Sequence, residues 1–370
     1  MKIETFELER TQSLWENTVD YNLTETGIHP LTLNELLNPD EIAKLHSVRL
    51  GYGQTNGSIE LRDAISAMYP GTNRNNILVT NGSIEANFIT IWSLLDKDDE
   101  LILMLPNYMQ IWGIARAFGI NVKPFYLKEE LGWQPDVDEI KKLITPKTKM
   151  IAICNPNNPT GAILSQSSHE AIIRMAREAD AWLYADEIYR GAELSGQPSV
   201  SCYGTYDKVI VAGGLSKAYA LPGLRIGWLV GPEIEIAEAW SRRDYTTIAT
   251  SILSNHIAAS ALQSERREKI LVRNRKILND NLHVLTEWVS THEGLFNFIP
   301  PQAGGMAFLK YNFDINSTEL TTKIREEKST FIVAGDCFGM DQRVRIGIGS
   351  EKNYLIEGLG RVSEVLTKIK

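Results

Sequence analysis

The chain has 370 residues, enough for a large core divided between two units, and its 43% hydrophobic and 23% charged residues are the balance of a folded protein. A net charge of −8 excludes a general nucleic-acid surface, which needs a basic patch or stripe. No apolar run is long enough to cross a bilayer, and the opening MKIETFELER lacks the apolar stretch of a secretory signal, so a cytoplasmic protein with no membrane partner is expected.

Cys154, Cys202 and Cys337 are odd in number and far apart, which fits a reducing compartment better than a disulfide framework. The six histidines never pair at zinc-ligand spacing and no C-x-x-C or H-E-x-x-H occurs, so no metal is expected. Without a G-x-S-x-G elbow, a serine hydrolase of that type has no nucleophile. Lysine, carboxylate and tyrosine chemistry is what remains.

In chain order, the hexapeptide TNGSIE occurs first at 55–60, where no strand precedes it and an ordinary capped helix, LRDAISAMY, follows. It occurs again at 80–85, after the apolar run NILV (76–79) and ahead of the helical SIEANFITIWSLL. There its backbone amides lie at a helix N-terminus, a ready anion site, so only the second copy is assigned that role, through Gly82, Ser83 and the following Ile84. The runs ELILML (100–105), KMIAIC (149–154), AWLYA (181–185), KVIVA (208–212) and RIGWLV (225–230) read as strands buried on both faces. Between them, SSHEAIIRMAREAD carries Ile172, Ile173, Met175, Ala176 and Ala179 at helical period. This alternation predicts an α/β fold: a mostly parallel sheet covered by helices, with its ligand crevice beyond the carboxyl ends of the strands.

After Pro232 a long helical stretch is expected to about Thr291, broken near Thr246–Ser254 and bridging to a smaller α+β unit. GGMAFLKY, RVRIGIG and the helical NYLIEGLGRVSEVLTKI belong to that unit. The division expected is a large domain over 46–265, with 1–45 and 266–370 forming the small one.

Four features converge on strand ends: NPNNPTG (155–161), DEIY (186–189), Lys217 in SKAYALPGLRIGW, and Arg225 eight residues beyond it, opening the last strand. Each alone has an ordinary reading. Asp186 can cap a helix, Asn158 can serve a turn, Tyr189 can be core, and Lys217 can lay its stem along apolar surface. Together with YGQTNGSIELRDAI, TNGSIEAN, LPNYMQ and VRIGIG, they occur in the order of a known family. The chain resembles the fold-type I pyridoxal-phosphate enzymes, in particular the class I/II aminotransferases, over nearly its whole length.

The resemblance implies pyridoxal 5'-phosphate as cofactor, with Lys217 forming the Schiff base and later moving the substrate's Cα proton. It implies Asp186 at the pyridine nitrogen, Tyr189 and Asn158 at the phenolic oxygen, and Tyr108 stacked on the ring. Gly82, Ser83, Ile84, Ser216 and Arg225 hold the phosphate. Arg345 forks the substrate α-carboxylate, near Asn158 and Gly27. Arg343 competes for that role, since strand alternation puts both arginines on one face. Tyr52 reaches the phosphate of a partner subunit, which makes the protein a homodimer with shared sites. One position departs from the family pattern: Gly214 stands where a serine hydroxyl normally meets the phosphate, and water or a neighbouring side chain is expected to replace it.

The activity implied is amino transfer between an α-amino acid and a 2-oxo acid. The same constellation serves lyases and amino-acid cyclases resembling capreomycidine synthase, to whose segments RRDYTTI (242–248) bears some likeness. A non-catalytic cofactor-sensing regulator is the remote alternative, and no residues are left over for its DNA-binding module. Side-chain preference is not legible, and no second arginine is assignable to a distal carboxylate.

Overall fold

The computed structural model describes residues 2–369. Its strands are β1 (Tyr21–Asn22), β2 (Ile77–Thr80), β3 (Glu100–Leu105), β4 (Asn121–Lys128), β5 (Gln134–Pro135), β6 (Thr148–Cys154) and β7 (Trp182–Asp186). There follow β8 (Val209–Gly214), β9 (Gly227–Val230), β10 (Phe296–Asn297), β11 (Met306–Tyr311), β12 (Thr330–Phe331), β13 (Val333–Ala334) and β14 (Arg343–Gly347). Eight strands form one sheet in the order β2-β9-β8-β7-β6-β3-β4-β5. The pairs β3/β4, β3/β6, β6/β7 and β7/β8 are parallel, while β9 runs antiparallel to both neighbours and β5 antiparallel to β4. The large sheet is thus mostly parallel, with its central strands buried on both faces.

Register brings the chemistry to one edge. Because β6, β7 and β8 are parallel, their carboxyl ends coincide: Cys154 pairs with Asp186, and Asp186 with Ala212. Strand β9 points the other way, so its first residue, Gly227, meets Gly214 on one side and Thr80 on the other. The loops after β2, β7 and β8, and the turn before β9, therefore open on the same crevice.

Helices cover the sheet by their apolar sides. The helix Gln166–Glu178 starts where the Ser165 hydroxyl accepts from the Ser168 amide at 3.1 Å, and it buries Ile172, Ile173, Met175 and Ala176. Strand β4 was not legible in sequence: Asn121, Lys123, Pro124 and Lys128 interrupt its apolar run, which an outer strand with several partly exposed residues tolerates. The helical stretch after Pro232 breaks twice rather than once, into Glu233–Arg243, Ile252–Ala261 and Ser264–Ser290. At the unforeseen second break Gln263 leaves the helical backbone (φ −58°, ψ 135°), Leu262 is buried, and Arg266 of the next helix donates to the Ser260 carbonyl oxygen at 3.2 Å. Beyond it, β10-β11-β14-β13 form a four-stranded antiparallel sheet, and N-terminal β1 pairs in parallel with β12.

Candidate active site

At the end of β2 the chain turns through Gly82 (φ 79°, ψ 165°) into the helix Ser83–Leu94. That backbone region is essentially glycine's alone, and a Cβ here would lie 2.6 Å from Arg225 Nη2. The absent side chain lets a guanidinium sit against free helix-start amides. The first TNGSIE copy has another purpose: a Cβ on Gly57 would fall 2.3 Å from Val79, so this turn packs on β2. Arg225 does not open the last strand as expected. It lies in the left-handed region (φ 52°) after the turn Pro222–Leu224, and β9 begins two residues later. Its Nη1 donates to Pro222 O at 3.1 Å and to Ser216 Oγ at 3.4 Å, and among the described residues no carboxylate pairs with it.

Asp186, at the end of β7, is buried at the floor of the crevice. Its Oδ1 accepts from the Ile188 amide at 3.1 Å and its Oδ2 from Asn87 Nδ2 at 3.3 Å. Asn87 is held by Gln110 Oε1 at 3.0 Å and by the Tyr184 hydroxyl. Burial pushes the Asp186 carboxyl up to about 6, the two hydrogen bonds only partly offsetting the loss of water. Sequence reasoning missed Asn87, although a signal existed: it stands four residues after Ser83, on the same helix face.

Lys217, in the loop after β8, places Nζ 3.4 Å from Glu25 Oε2, and its charge holds the Glu25 carboxyl below the usual range. The Tyr189 hydroxyl lies 2.7 Å from Thr26 Oγ1, and the Tyr108 hydroxyl donates to Glu9 Oε1 at 2.6 Å. Arg345 on β14 is buried, its Nη1 donating to Asn158 Oδ1 at 2.9 Å and its Nη2 to Thr24 O at 2.8 Å. Its Nε is buried without a hydrogen-bond partner among the described residues. Arg343, two residues earlier, is closed off in a two-pronged pair with Glu129 at 3.2 and 2.5 Å. The pairing sets the two arginines apart where alternation could not: Arg345 lines the cavity, and Arg343 is held by Glu129.

Ser83, Ile84, Tyr108, Asn158, Asp186, Tyr189, Ser216, Lys217, Arg225 and Arg345 thus line one cavity of about 310 Å³. Gly82 and Gly27 border it; a Cβ on Gly27 would stand 3.1 Å from Ser216 O and 3.8 Å from Lys217 Cδ. Tyr52 is not brought into the cavity of its own chain, its side chain being 87% exposed. At Gly214, where the family pattern has a serine, the room for a side chain is already taken. A Cβ there would lie 2.8 Å from Ile188 Cδ1 and 3.1 Å from Ile226 O, so the space belongs to an apolar side chain. The N-terminal segment was expected to line the pocket, but no motif announces which of its residues do: Leu8, Glu9, Gln12, Glu16, Glu25 and Thr26.

This donor set fits pyridoxal phosphate. The buried Asp186, which has no ion pair among the described residues, suits a protonated ring nitrogen, the amides after Gly82 with Arg225 suit a phosphate, and Lys217 suits an aldehyde.

Comparison with known proteins agrees. The family model described as aminotransferase class I and II matches residues 25–361. Capreomycidine synthase of Streptomyces vinaceus is 28% identical over 93% of this chain and 89% of its own length. Among solved structures, a pyridoxal-phosphate-dependent aminotransferase from Streptococcus suis is 34% identical with a TM-score of 0.94, covering 100% of this chain and 99% of that one. The pyridoxal-phosphate-dependent cyclase OrfR is 25% identical with a TM-score of 0.90, covering 100% and 98%. With a family match over nearly all of its length, on a fold whose crevice carries these groups, the chain belongs to the class I and II aminotransferases, enzymes that work with pyridoxal phosphate.

Proposed function

We propose that Lys217 carries the reaction, an amino group passing between an α-amino acid and a 2-oxo acid, with the other cavity residues in the following roles. The observation that carries this reading is the meeting of Lys217, Asp186 and Arg345 in one cavity: an amine, a buried acid and a buried carboxylate receptor. When bound, pyridoxal phosphate supplies the carbonyl that takes the amino group and the ring that accepts electrons from the Cα–H bond. The amides of Ser83 and Ile84, with Ser216 and Arg225, hold its phosphate. Asp186, kept in place by Asn87, faces the ring nitrogen and favours its protonated form by opposite charge. Asn158 and Tyr189 orient the phenolic oxygen, and Tyr108 covers a ring face. Arg345 forks the substrate α-carboxylate, with the backbone at Gly27 alongside. Lys217 Nζ takes the Cα proton and returns it to the other side of the transfer. Lys217→Ala is expected to lose turnover by several orders of magnitude and to lose borohydride-fixed cofactor; full activity in that variant rejects the assignment.

A second reading, a cyclase or lyase acting at the same site, is supported by the likeness to capreomycidine synthase and OrfR over nearly the whole chain. Release of product from an amino acid alone, with no oxo-acid acceptor, favours it; turnover that needs the acceptor favours amino transfer. We further propose a cytoplasmic homodimer in which Tyr52 serves the partner's phosphate, and a division into a large domain of 46–265 and a small one of 1–45 with 266–370. Support for the dimer is the exposure of Tyr52 beside exposed Leu50.

A further inference from the structure

We propose that the N-terminal wall of the active site selects amino acids with a cationic side chain, Glu9, Glu16 and Glu25 receiving the distal ammonium or guanidinium. The inference rests on the amino-transfer reading above and names its substrate class.

Charge balance along the cavity wall, where Glu9 and Glu16 are partly buried and Glu25 is exposed, carries the inference. Basic residues lining the cavity are Lys217, Arg225 and Arg345; acidic ones are Asp186, Glu9, Glu16 and Glu25. Asp186 lies at the floor, Arg225 lies against the amides after Gly82, and Lys217 is committed to the amine chemistry. What faces the substrate is then one arginine and three glutamates. The Arg345 Nε, 2% exposed as a residue and without a partner, independently marks where a ligand's anionic group belongs. Nothing comparable awaits a second carboxylate.

Of the three glutamates only Glu25 has a cation beside it among the described residues. Glu9 accepts only the Tyr108 hydroxyl, at 2.6 Å, and neither Glu9 nor Glu16 has an ion-pair partner among the described residues. Glu25 has a single one, the Lys217 ammonium at 3.4 Å, the same nitrogen the reaction needs. Burial first, and then the charges of Glu25 and Glu9, hold the Glu16 carboxyl above its usual range. Glu9, Gln12 and Glu16 recur at three- and four-residue spacing, on one side of the helix Glu7–Trp15 and its C-cap. Gln12 is buried and tied to Thr24 Oγ1 at 3.0 Å, which fixes that side toward the cavity. A substrate with a second carboxylate adds to this charge, a neutral one leaves it uncompensated, and a cationic one neutralises it.

The test measures binding to the holoenzyme of carboxylates that lack an α-amine and so cannot react: guanidinovalerate, hexanoate and adipate, by titration calorimetry. Guanidinovalerate is expected to bind about tenfold tighter than hexanoate, the scale of one charge-assisted hydrogen bond, with adipate weakest. In Glu16→Gln and in Glu25→Gln the ratio of guanidinovalerate to hexanoate affinity falls several-fold. Hexanoate or adipate binding as tightly as guanidinovalerate, or a ratio unmoved in both variants, overturns the proposal while the cofactor absorbance shows the holoenzyme intact. Failure of the chain to take up cofactor at all refutes the amino-transfer reading, and this inference with it.

Discussion

Asp186 shows how a single side chain is set for its task by its surroundings. Burial lifts its carboxyl from 3.8 to about 6 in the folded protein, so the folded state holds the proton more tightly than the unfolded chain. The associated stability is fully present below about pH 4 and is lost as pH rises through 6, roughly 3 kcal/mol for a shift of about two units. Asp186→Asn removes this dependence. In the cofactor-free protein, the variant should gain up to about 3 kcal/mol on wild type between pH 4 and pH 7.5, read by urea unfolding at both values. Glu187 is lifted to about 7 by burial, with the charge of Asp186 adding to the rise, so the variant lowers it and flattens its own profile further. Parallel pH profiles would show that Asp186 is not ionised against a burial cost. The same substitution should weaken turnover by about two to four orders of magnitude, because an amide cannot keep the ring nitrogen protonated.

At the scale of elements, the site depends on how closely β8, β9 and the helix Ser83–Leu94 meet. Thr80, Gly227 and Gly214 stand in adjacent register, and Ile188, two residues past β7, fills the space beside Gly214. A serine at 214, the family's usual residue, would here press on Ile188 Cδ1 at 2.8 Å. Gly214→Ser alone is therefore expected to destabilise by about 1–3 kcal/mol through overpacking. Gly214→Ser with Ile188→Val, which removes that methyl, should recover most of the loss and bind cofactor more tightly than wild type. Thermal unfolding and cofactor titration of the single and double variants measure the coupling; strictly additive effects reject the packing account.

For the molecule as a whole, completeness of the site is the question. The N-terminal segment crosses from β1, paired with β12, to supply Glu25 and Thr26, while the helix Glu7–Trp15 lays Glu9 and Gln12 along the cavity. Tyr52 points into solvent at 87% exposure, an unusual place for a side chain of that size. If a second copy receives it, sedimentation should give a dimer, and Tyr52→Phe should weaken cofactor affinity by about tenfold through one lost hydrogen bond to phosphate. A monomer with full cofactor affinity would rule this out.

Much of this protein was legible in the chain alone. Short apolar runs ending in NPNNPTG, DEIY and the Lys217 loop gave strands and strand-end chemistry together, because parallel strands buried on both faces leave a strong local signal and put function where they stop. That signal put forward Lys217, Asp186, Asn158 and Arg225, which the fold brings to one cavity. Only the tertiary structure put Arg345 in the cavity and closed Arg343 on Glu129, and only it gave Gly214's space to Ile188. Likewise Asn87 and the glutamates of the N-terminal wall became visible only when segments distant in sequence were packed around one cavity. A residue's partner across the fold depends on register and packing, which no local pattern encodes.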